Sequence, residues 1–97
     1  MNKEIAGEIL KQLGGNKFIA MTGAKNFGVS HTGMHFMIPR HNNINAISIS
    51  LTVWDTYRVE FKKIDQNGIK AISSFDNVYF DQLQELFTQQ TGLYTHL

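Results

Sequence analysis

Hydrophobic positions recur at helical spacing towards both ends of this chain and alternate with polar ones in between. From Asn2 to Leu13, Ile5, Ile9 and Leu13 fall four apart with Ala6 and Leu10 beside them, which predicts a helix with one apolar face. Gly14 and Gly15 follow directly and predict its left-handed stop. Phe18 to Thr22 and Met34 to Ile38 read as short apolar strands separated by a loop from Gly23 to Gly33. Pro39, with no N–H to give to a sheet ladder, is expected to end the second.

The strictest alternation runs from Ala46 to Val53, where Ile47, Ile49, Leu51 and Val53 take one face and Ser48, Ser50 and Thr52 the other. Tyr57 to Lys63 repeats the pattern with Tyr57, Val59 and Phe61. A hairpin joining the two through Trp54-Asp55-Thr56 would set Leu51 opposite Val59 and Ile49 opposite Phe61. Asp65-Gln66-Asn67-Gly68 signals a turn, and Ile69 to Phe75 a last strand whose pairing stays open. Tyr79, Leu83, Leu86 and Phe87 then predict a helix over residues 77–91, with Asp76 as N-cap, Gly92 as C-cap and Leu93 folding back.

No connection is long enough for a parallel crossover, so the sheet is expected to be antiparallel. The fold class that follows is α+β: a two-layer sandwich in which about five antiparallel strands carry an N-terminal and a C-terminal helix on one face. Residues 1–97 read as a single domain, without internal repeat, linker or low-complexity tract.

Composition narrows the chemistry. At 97 residues and 42% hydrophobic, the chain has enough apolar surface for one core and little surplus, so self-association into a homo-oligomer is one route to added stability. Without cysteine there are no disulfides, thiolate metal sites or cysteine nucleophiles. No apolar run approaches the roughly 20 residues of a membrane span and the N-terminus lacks a secretory pattern, so a cytoplasmic location is expected. Net charge is +1, but no acid occurs between Ile9 and Trp54, and no Lys or Arg from Asp76 onwards. That asymmetry suggests a basic side.

Three groups of residues invite function. Lys17, Lys25, Asn26 and Arg40, with the Thr22-Gly23-Ala24-Lys25-Asn26 loop, could meet phosphate through cations and backbone N–H groups, although the loop lacks the features of a Walker motif. Trp54 and Tyr57, at the hairpin end, are candidate anchors for a protein partner; the alternative is that Trp54 caps the edge of the core. His31, His35 and His41 lack neighbouring acids and read as exposed polar residues, so no metal or other cofactor is expected. No segment joins a nucleophile, a base and an orienting acid, so catalysis is not expected either.

Residues 13–27 (Leu-Gly-Gly-Asn-Lys-Phe-Ile-Ala-Met-Thr-Gly-Ala-Lys-Asn-Phe), 54–61 (Trp-Asp-Thr-Tyr-Arg-Val-Glu-Phe) and 91–95 (Thr-Gly-Leu-Tyr-Thr) resemble small uncharacterised proteins encoded by bacteriophages, prophages and other bacterial mobile elements. The resemblance spans nearly the whole chain, and Met-Thr-Gly-Ala-Lys-Asn is its most specific part. It implies a genomic setting and supplies no catalytic residues. The expectation is a non-enzymatic accessory protein that binds a host or phage protein; the alternative is a nucleic-acid-associated protein using the Lys25 loop.

Overall fold

The computed structural model describes residues 3–95. Helix α1 (Lys3–Leu13) and helix α2 (Gly15–Thr22) precede five strands: β1 (Lys25–Val29), β2 (Gly33–His41), β3 (Ile44–Leu51), β4 (Tyr57–Asp65) and β5 (Gly68–Val78). A 3₁₀ turn (Phe80–Gln82) leads into helix α3 (Leu83–Thr91). The strands form one sheet in the order β1-β2-β3-β4-β5, every neighbouring pair antiparallel. Ile9 and Leu13 of α1, Phe18 of α2, and Leu83 and Phe87 of α3 join one buried cluster with Met34, Phe36, Ile47, Ile49, Val59 and Phe61 from the sheet. The architecture is thus the expected α+β sandwich, with a third helix added.

That helix corrects the reading of Phe18 to Thr22 as a strand. A short apolar run has no period of its own, and here the glycine pair turns the chain without ending helical structure: Gly14 has φ 126° and Gly15 φ 62°. Phe18 and Thr22, one turn apart, are both buried, and the Thr22 hydroxyl donates to the Phe18 carbonyl at 2.7 Å. The expected loop from Gly23 to Gly33 contains β1, an edge strand whose pairing shifts register between Lys25 and Gly28. Asn26 sits there at φ 57°. An exposed, bulged edge carries no alternation to read.

Pro39 does not end β2. The strand runs on to His41, and the register shift between Met37 and His41 accommodates the missing donor. The hairpin register is two residues from the expected one: Ile49 faces Val59, Leu51 faces Tyr57 and Ile47 faces Phe61. Inward and outward faces are unchanged by a shift of two. Its cause is the turn. Strand β3 stops at Leu51, the Thr52 N–H donates to the Thr56 carbonyl at 2.8 Å, and the two threonine hydroxyls meet at 3.0 Å.

Strand β5 extends to Val78, so Asp76 lies in the sheet, bonded to Arg58 at 3.1 Å, and caps no helix. The chain enters the 3₁₀ turn with the Tyr79 N–H donating to Gln82 Oε1 at 3.0 Å. Gly92, at φ 79°, is the expected left-handed cap of α3, and Leu93 packs against the core.

Two glycines test this packing in opposite directions. A Cβ on Gly33 would run into the Ile49 carbonyl oxygen, so Gly33→Ala is expected to cost about 1–3 kcal/mol. A Cβ on Gly7, within α1, would meet nothing within 4 Å, so Gly7→Ala is expected to add about 1 kcal/mol. Thermal denaturation of the two variants checks both signs.

Candidate functional site

A five-strand meander places alternate turns at opposite ends of the sheet. The β1–β2 turn, the β3–β4 turn and the exit of β5 share one end; the β2–β3 and β4–β5 turns share the other. The two ends differ in chemistry.

The first end carries large exposed apolar side chains among polar ones such as His31 and Asp55. Val53 is 90% and Trp54 78% exposed on the β3–β4 turn, and Tyr79 and Phe80 emerge where β5 stops. The turn is fixed in shape. Besides the Thr52–Thr56 contacts, the Trp54 N–H donates to Thr52 Oγ1 at 3.2 Å, the Asp55 N–H donates to the Thr52 carbonyl at 3.2 Å, and Asp55 takes φ 60°. Thr56, buried, anchors the turn to the sheet.

The structure separates the two residues read as partner anchors. Trp54 projects outwards, whereas Tyr57 is 5% exposed and belongs to the core, pointing with Val59 and Phe61 towards the helices. Burial pushes the Tyr57 hydroxyl above its ordinary range; a hydrogen bond from Gln12 opposes that, and the Glu8 carboxylate adds to it.

At the second end lie five of the six cations of the strands, the exception being Arg58 near the start of β4. Lys25 opens β1, Arg40 is near the end of β2, Lys62 and Lys63 near the end of β4, and Lys70 near the start of β5. Opposed residues share a face of an antiparallel pair, so Lys25, Met37, Ala46, Lys62 and Ala71 form one row across the helix-free face. Three strand spacings put Lys25 and Lys62 about 14 Å apart in that row. Lys63 faces Lys70 directly, a repulsive pairing that, among the described residues, only Asp65 relieves, at 3.8 Å from Lys63. Lys17 is exposed on α2, whose following Gly23 abuts the Pro39 ring, and Asn26 turns its amide onto Met37 Sδ at 3.8 Å. Spacing along the chain did not join Lys62, Lys63 and Lys70 to Lys25, because the β3–β4 turn, and not nearness in sequence, brings them back to that end.

The histidines do not converge. His31 lies in the β1–β2 turn, His35 spreads over Gly28, and His41 contacts the Thr91 carbonyl at the C-terminus of α3 through Nδ1 at 2.7 Å. His31 precedes and His41 ends a strand of nine residues, roughly 25 Å from end to end. Among the described residues no three His, Cys, Asp or Glu side chains gather to hold a metal, and no helix is long and apolar enough to cross a membrane.

On the helix side, α1, the 3₁₀ turn and α3 border an open groove of about 1130 Å³. Phe80 and Tyr94 line it while remaining 62% and 68% exposed. One signal for it is in the sequence: Tyr79 and Phe80 are adjacent, and a single helix face cannot bury both. Comparison of the chain with family models, curated proteins and solved structures gave no match.

The position of Tyr57 has a consequence at alkaline pH. Its hydroxyl ionises less readily in the folded chain than in the unfolded one, so its contribution to stability is full below about pH 10 and is lost as pH rises through the raised folded value. Chemical denaturation between pH 8 and 11 should show this decline in the wild type. In Tyr57→Phe the decline should be shallower.

Proposed function

We propose that this chain is a non-enzymatic protein-binding module that engages its partner through the aromatic end of the sheet, with Trp54 as the anchor. The observation that carries the reading is the exposure of Val53 and Trp54 on a turn whose backbone is held by four hydrogen-bonding contacts of Thr52. An anchor presented on a rigid turn loses little entropy on binding, and tryptophan is among the residues that carry most interface energy. The setting, an accessory protein of a phage or other mobile element acting on a host or phage protein, rests on the resemblance of residues 13–27, 54–61 and 91–95.

Affinity capture from host or infected-cell lysate, with nuclease treatment, tests it. Trp54→Ala should cost about 2 kcal/mol of binding, roughly a thirtyfold loss of affinity, while stability stays within about 0.5 kcal/mol because the side chain is 78% exposed. Retention of the partner at wild-type affinity would remove Trp54 from the interface.

A second reading has its own observation. The cations at the opposite end, and above all the direct Lys63–Lys70 opposition, favour an anionic partner such as nucleic acid. If it is correct, Lys63→Ala with Lys70→Ala should lower the salt dependence of nucleic-acid binding by about two units of slope, near one for each phosphate no longer neutralised. An unchanged slope would exclude the pair from any such site.

A further inference from the structure

The groove between α1 and α3 is lined by no residue of the Trp54 turn, and Phe80 is where it adjoins the aromatic end. Its walls are helices, whose backbone groups already bond within themselves, so it offers no free edge for an added strand. An occupant must satisfy its own backbone, which selects a helix. Charge selects further. Among the described residues, Glu8, Asp81 and Glu85 line the groove against a single cation, Lys11. None of the three acids is among the ion pairs of the described residues, which are Arg58–Asp76 and Lys63–Asp65. Glu8 and Glu85 instead accept from the amides of Gln12 and Gln89, each at 3.3 Å and one helical turn away. Neutral amides orient these carboxylates and leave their charge uncompensated. Phe80 and Tyr94 add apolar surface that Lys or Arg side chains can also stack upon.

From this arrangement we infer that the α1–α3 groove docks a basic amphipathic helix of a partner protein, its apolar stripe against Phe80 and Tyr94 and its cations against Glu8, Asp81 and Glu85. A second copy of the chain is a poor occupant. Helix α1 has its own apolar face in the core, and α3 carries Glu85 with no Lys or Arg.

Titration of the full chain with an 18-residue Leu/Lys amphipathic peptide, followed by fluorescence anisotropy and by amide chemical shifts, tests the assignment. Saturable binding with shifts confined to α1, the 3₁₀ turn and α3 is expected. Phe80→Ala and the pair Asp81→Lys with Glu85→Lys should each weaken it at least tenfold without unfolding the chain, since all three side chains are exposed, and Trp54→Ala should leave it unchanged. A Leu/Glu peptide of the same length should not bind. Absence of binding, equal binding of the acidic peptide, or shifts outside the groove would overturn the proposal. So would concentration-dependent dimerisation abolished by Phe80→Ala, which would make a second copy the occupant.

Discussion

The contact among Phe18, Phe36 and Phe87 holds the two layers together. Phe18 meets Phe36 edge-on with centroids 5.5 Å apart and Phe87 at 5.1 Å, so α2, β2 and α3 share one point of contact. Helix α2 has eight residues, too few to persist in water without tertiary support. Phe18 supplies that support, and Gly14 sets its approach: at φ 126° it separates α1 from α2, and a Cβ there would lie 3.3 Å from that of Phe18. With the aromatic contact in place, the helices cover one face of the sheet and the other face is left open.

The meander then distributes function. Because every connection is a hairpin, alternate turns gather at opposite ends, and the ends are free to differ. The C-terminus of α3 closes the basic end: His41, the last residue of β2, and Asn42, in the turn that follows, bond the Thr91 and Gln90 carbonyls at 2.7 and 3.3 Å. Those carbonyls are left unpaired by the helix itself, so the contact completes a cap as well as joining the layers. At the same end Asn45 accepts from the Ile64 N–H and donates to its carbonyl, both at 2.8 Å, prolonging the β3–β4 ladder with a side chain. Both ends are therefore stiff.

The fold class was legible because its signals are periodic. Ile47, Ile49 and Leu51 alternate against serines, and Ile5, Ile9 and Leu13 repeat every turn, so the inward faces followed from spacing alone. What was not legible depended on contacts distant in sequence. Phe18 to Thr22 is helical because the sheet receives Phe18, and β1 is a strand because β2 pairs with it. The two-residue error in the β3–β4 register arose from a turn closed by threonine hydroxyls, whose reach the pattern of apolar residues does not encode. For the candidate sites the limit was the same. Trp54 and Tyr57 are three residues apart and point to opposite environments, and Lys25 and Lys62 are 37 residues apart and share a row.

The placement also makes the readings separable. Residues more than about 10 Å apart with no shared partners usually contribute additively. Trp54 and the Lys63–Lys70 pair stand at opposite ends of strands of eight and nine residues, roughly 25 Å apart. The groove lies on the other layer of the sandwich from the Lys25–Lys62 row, with the core between them. Phe80 is common to the aromatic end and the groove, so those two surfaces adjoin. Loss at Trp54 or at the Lys63–Lys70 pair therefore reports on that end of the sheet, and a protein partner at the aromatic end is physically compatible with an anion at the basic end.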